Sequence, residues 1–170
     1  MTSMAQLYLE INQFAHEATI SCLSRLSKSG TLSIADAIFV HGLIVAFVAF
    51  AELKRGRIGR DDVGLMINMH AARFTNSQYS SVSETEETKF LALNETVHCA
   101  FLEIYNLTRA YFDRYLDRNF TSQDFMRELL LAGPSIYSVA LKKDVTVLDK
   151  RLLIISVAAE LVALRESLEA

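Results

Sequence analysis

Two histidines and one basic loop are the places where this chain could do chemistry. His41 stands inside IADAIFVHGLIVAFVAFAEL (34–53), the most apolar stretch of the sequence. An imidazole enclosed by apolar side chains can ligate haem or a metal, or titrate as a buried switch. The plain alternative is a core histidine bonded to a carbonyl or a carboxylate. His98 closes the spacing Glu95-Thr-Val-His98. On a helix, E-x-x-H puts a carboxylate and an imidazole on one face, as in carboxylate-bridged di-iron bundles. That chemistry needs the motif twice, and the residues three before His16, His41 and His70 are Gln13, Ile38 and Ile67. No metal site is therefore expected, and no cofactor is assigned. His41 and His98 are kept as candidates for lining a small-molecule or cofactor pocket. The four histidines fall on four predicted helices, and spacing alone does not decide whether they meet.

The second candidate is Lys54-Arg-Gly-Arg-Ile-Gly-Arg60, with four cations and two glycines in seven residues. Lys54, Arg55, Arg57 and Arg60 could contact phosphate, a nucleic-acid backbone or anionic lipid. The loop lacks Walker A spacing and follows no strand, so it is not a P-loop. With Gly56 placed at the invariant glycine of a calcium loop, Ala51, Leu53 and Arg55 stand where acids belong. The plain alternative is a basic helix end plus turn, with Arg60 balanced by Asp61 and Asp62.

Residues 123–143 have the outline of a helix-turn-helix with Gly133 in the turn. The second helix offers Ser135, Ile136, Tyr137 and Ser138 where base-reading side chains belong, so two packed core helices are the better reading. Phe101, Tyr105, Phe112 and Tyr115 form an aromatic stripe at helical spacing. Such a stripe marks a core or a subunit interface before it marks a stacking platform. No local pattern marks a nucleophile or an acid–base pair, so no catalytic residue is nominated.

Positioning these residues falls to helices. Apolar residues at helical spacing predict a first helix over 4–28, stopped by Gly30. Ser33 with Asp36 opens a second helix in a near capping box, and that helix ends at Arg55–Gly56. A third starts at Asp61 or Asp62 and runs to about Phe74. TNSQYSSVS (75–83) is the clearest loop, the one place where a single domain over 1–170 could divide into two subassemblies. Ser83 and Glu86 then cap a helical pattern reaching about Arg118. Thirty-five helical residues would span about 52 Å, more than the roughly 40 Å width of a globule of this size. That helix must break, bend or protrude, and a protruding aromatic face is a dimerisation element. Pro134 suits the first turn of a short helix over 135–143. A last helix over 145–168 has only a narrow polar strip and should be largely enclosed.

Composition frames the rest. The chain has 170 residues, long enough for one domain with a real core, and its net charge of −3 makes it no electrostatic trap for nucleic acid. Hydrophobic residues make up 51%, above the usual proportion of about 45–50%. The surplus must cover a large interface, a ligand cavity or a membrane. Asp36 and His41 interrupt the 34–53 stretch, which favours a buried core helix over a membrane span, although the basic flank would also suit membrane contact. Cys22 and Cys99 make no metal or redox spacing and are expected to be buried free thiols in the cytoplasm. No positive n-region with an apolar run marks a secretory signal.

The sequence therefore predicts an all-α, irregular bundle of six or seven helices around a nearly fully apolar central helix. Its function is expected to be non-enzymatic: a regulator, inhibitor or adaptor with a protein partner, working as a homo-oligomer through an apolar helical surface. A pocket near His41 and His98 is the first alternative. Membrane or DNA association through residues 54–60 is the second.

Overall fold

The computed structural model describes residues 3–29, 32–76, 94–112, 122–142 and 151–169. Six helices hold nearly all of them: α1 Met4–Ser29, α2 Ile34–Lys54, α3 Arg60–Asn76, α4 Asn94–Phe112, α5 Ser122–Leu141 and α6 Arg151–Glu169. The architecture is the expected helical bundle around one apolar helix.

That central helix is α2. It packs against every other described helix, most extensively against α4. From Ile34 to Phe50 each of its residues is buried. A helix with no polar stripe cannot face water on any side, so the bundle closes around it. Each Ile, Val, Leu or Phe side chain removed from water contributes about 1.5–3 kcal/mol. By length and hydropathy α2 could cross a membrane, but 94% of its apolar window is buried by the chain's own helices.

Local chemistry fixes both ends of α2. Ser33 Oγ accepts the Asp36 N–H at 3.1 Å, and the Ser33 N–H donates to Asp36 Oδ2 at 3.2 Å. This is the capping box that the sequence suggested. The other carboxylate oxygen of Asp36 accepts the Tyr137 hydroxyl at 2.8 Å, so one side chain caps α2 and ties it to α5. At the far end Gly56 takes φ +72°, the left-handed conformation that glycine adopts without steric cost. The Gly56 N–H then bonds Leu53 C=O, and the Arg57 N–H bonds Glu52 C=O. These are the two bonds of a Schellman stop. In mid-helix, a Cβ on Gly42 would lie 2.6 Å from Ile104 Cδ1, so the missing side chain lets α4 lie close against α2.

Two expectations about the elements are corrected. The segment expected to turn at Gly133 is one unbroken helix, with Pro134 inside α5. Proline removes one ladder bond and is costly in a helix interior, about 3 kcal/mol. Packing outweighs it here: Leu129, Ala132, Ile136 and Tyr137 are buried, and Gly133 lies against Ile154 of α6. The last helix is not enclosed all round. Leu153, Ile154, Val157, Ala158, Leu161 and Leu164 are buried, but Leu152, Ala159 and Ala163 face outward.

The 94–112 helix lies within the expected long helical pattern, and α3 packs directly against it. Of the loop expected over 75–83, Thr75 and Asn76 instead extend α3; the rest of it, the cap at Ser83, and the helical continuations over 84–93 and 113–118 lie outside the described residues. So do the fragments 143 and 145–150 of the other predicted elements.

Candidate functional site

Three of the four histidines converge. His16 on α1, His41 on α2 and His70 on α3 act on one another electrostatically, and Arg73 of α3 acts on all three. The His41 and His70 rings meet edge to face, with centroids 5.7 Å apart and planes at 80°. Phe74 of α3 and Phe101 of α4 pack on His41 at 5.3 and 5.2 Å. Both His41 and His70 are fully removed from solvent, and His16 is half-buried. Beside His16, one helical turn back on α1, the Asn12 amide donates to the Met69 sulfur of α3 at 3.7 Å. Asn12 is thus buried in the seam between α1 and α3 with its amide turned to Met69.

Burial sets the protonation of this cluster. Desolvation disfavours imidazolium, and the neighbouring imidazoles and the Arg73 guanidinium add to it. His70 is pushed down to about 3, by burial first and then by Arg73 and His16. His41 is lowered well below the ordinary histidine range by burial, then by His70, His16 and Arg73. His16 is lowered too, by burial and Arg73, with Glu17 acting in the opposite sense. At neutral pH, His41 and His70 are thus uncharged rings. Neither nitrogen of His70 has a hydrogen-bond partner among the described residues. Among these residues no group of three His, Cys, Asp or Glu side chains could hold a metal ion.

The pairing differs from the one expected. His41 meets His70 and His16, while His98 is half-buried on α4 and makes no ring contact with His41 among the described residues. The Glu95 side chain of the E-x-x-H spacing lies outside the described residues. Among the described residues His41 is walled by rings and lines neither of the described grooves. The largest described groove, about 560 Å³, lies instead between α4 and α5, where Cys99, Glu103, Val139 and Lys142 line it. Cys99 is exposed there, a correction to the expectation of two buried thiols; Cys22 is buried, and burial pushes its thiol up to about 11.

The aromatic stripe is also redistributed. Phe101 is 1% exposed and Tyr105 7%, so both belong to the chain's own core instead of a protruding face. The Phe112 side chain and Tyr115 lie outside the described residues.

The basic loop divides into different duties. Arg57 Nε pairs with Glu52 Oε2 at 3.0 Å and covers a nearly buried carboxylate. Arg55 is exposed at the α2 cap. Lys54 Nζ sits over the Phe50 ring at 6.0 Å. Arg60 does not pair with Asp62, whose carboxylate instead accepts the Gly59 N–H at 2.9 Å and caps α3. Lys54 and Arg60 line a groove of about 260 Å³ together with Arg109 of α4. Sequence reading missed Arg109 because it is a lone cation on a helix, 49 positions after Arg60. It also passed over Arg73, whose only local signal is its place near a helix end.

No protein-family model matches this chain, and neither the curated proteins nor the solved structures give a match.

Proposed function

We propose that this chain is a non-enzymatic interaction protein, a regulator, inhibitor or adaptor of the cytoplasm, that works as a homo-oligomer through the outer face of α6. The observation that carries the reading is the second apolar side of that helix. Leu152 is 56% exposed, Ala159 and Ala163 are exposed, and Ile155 and Val162 are half-buried. Leu152, Ile155, Ala159 and Val162 follow one another at intervals of three, four and three, the spacing of a helix–helix seam. Ala159 and Ala163 are small enough for a second helix to come close. A second copy of α6 supplies the same row, and a two-fold contact needs only a self-complementary surface. Leu152, Ala159 and Ala163 stand exposed on this outer side, while Ile155 and Val162 flank them half-buried, with Val162 packed partly against the core.

Light scattering across a size-exclusion peak tests this reading. The expected mass is twice the 19.1 kDa of the chain, or a higher multiple. A mass of one chain at every concentration overturns it. Absorbance beyond the aromatic band would instead favour a bound cofactor.

A further inference from the structure

We propose that the groove where α2 ends, α3 begins and α4 nears its end binds a phosphate monoester or a comparably small dianion. It rests on different residues from the self-association surface. Five side chains line the groove: Phe50, Leu53 and Lys54 of α2, Arg60 of α3 and Arg109 of α4. The three ionisable ones are all cations, in a chain whose net charge is −3. Lys54 and Arg60 are exposed and Arg109 is half-buried, and three positive groups brought together by three helices give the groove a local positive potential that favours an anion.

Of the three acidic groups near this end, Asp61 is exposed beside Arg60 and the other two are engaged. Glu52 pairs with Arg57, and Asp62 caps α3 through the Gly59 N–H. Among the described residues neither Arg60 nor Arg109 has an ion pair or hydrogen-bond partner. Arg109 is half-buried, the state of an arginine whose stem lies along apolar surface with its head at the groove. The buried Phe50 ring and the half-buried Leu53 form an apolar wall, which strengthens charge–charge attraction relative to open water. Two guanidinium forks match phosphate oxygens in pairs, and Lys54 adds a point charge.

Size narrows the class. About 260 Å³ is below the range of about 300–1,000 Å³ for drug-sized ligands. A phosphate group with a short organic appendage fills it, whereas a nucleic-acid backbone needs a stripe of cations.

The test titrates the full chain with inorganic phosphate and with pyrophosphate, followed by amide chemical shifts. Saturable binding with shifts at residues 54, 60 and 109 is expected. Arg109→Gln and Arg60→Gln should each weaken it about tenfold or more, the loss of one charge-assisted contact. Arg55→Gln removes the same charge from the exposed neighbour of Lys54, outside the groove, and should change affinity by no more than about twofold. Circular dichroism checks that each variant keeps its helicity, and two independent variants keep the test decisive should one unfold. Vesicles containing phosphatidic acid, against phosphatidylserine vesicles, separate the sources. Arg109-dependent capture by phosphatidic acid alone assigns a lipid headgroup. Binding of soluble phosphate without capture assigns a free phosphate compound. Absence of saturable binding overturns the proposal. So does an equal loss with Arg55→Gln, or salt-sensitive duplex DNA binding to which all three arginines contribute equally.

Discussion

Helices α2 and α6 draw on the same residue types and end in different surroundings. In α2 the apolar residues occupy every side, and the other five helices cover them all. In α6 the inner residues pack on α1, α2 and α5, while Leu152, Ala159 and Ala163 remain outside. The lesson concerns where apolar surplus goes. Much of the excess hydrophobic content is absorbed by enclosing α2; what is left over is spread over the outer faces of α1, α3, α5 and α6, with Leu9, Leu65, Leu131 and Leu152 the most exposed.

The sharpest way to break this comparison is truncation inside α2. Phe39 is fully buried and packs edge to face on Tyr137 at 5.1 Å. Phe39→Ala should cost about 3–5 kcal/mol in urea unfolding. A loss below about 1 kcal/mol would mean that α2 is not the core.

Acid should have the next largest effect, through the histidines against α2. An unfolded histidine titrates near about 6.5, whereas His70 in the fold is held down to about 3. Between these values the unfolded chain binds the extra proton. Stability is therefore highest above about 6.5 and falls as the pH drops toward 3, by up to about 1.4 kcal/mol per pH unit for one such group. His41 acts in the same direction. Urea midpoints measured from pH 7 to pH 4 should show this fall, and His70→Leu should flatten it. An unchanged slope in His70→Leu would contradict the buried placement of that ring.

Smaller again is Tyr137→Phe. It removes one hydrogen bond to the buried Asp36 carboxylate while keeping the ring. The expected cost is about 1–3 kcal/mol, measured by thermal or urea unfolding. A neutral result would mean that the capping box alone satisfies Asp36.

Much of the fold was legible because its signals are local. Ser33, Asp36 and Gly56 bound α2 within a residue or so, and the density of Ile, Val, Phe and Ala between them leaves no face for water. Pro134 misled because its local cost is real, and only the buried neighbours of α5 and the close approach at Gly133 outweigh it. For α6 the inner face was readable, but the outer row looks the same in sequence whether a neighbour covers it or not. The site was less legible, for a physical reason. The convergence of His16, His41 and His70, and of Lys54 and Arg60 with Arg109, depends on how helices cross. Nothing within one helix encodes that crossing. Gly42 offers the nearest clue, since a glycine in so apolar a helix marks close backbone approach.

On α6 itself, Ala159→Glu should change stability least and assembly most. The substituted side chain lies on the exposed row, so the folded monomer should lose no more than about 0.5 kcal/mol. The most direct measurement is light scattering of wild type and Ala159→Glu side by side, with the urea midpoint taken on dilute samples of each. The account predicts an oligomer for wild type, a single-chain mass for Ala159→Glu, and midpoints that nearly coincide. An unchanged oligomer would show that the outer row of α6 is not the contact, and a monomeric wild type would remove self-association altogether.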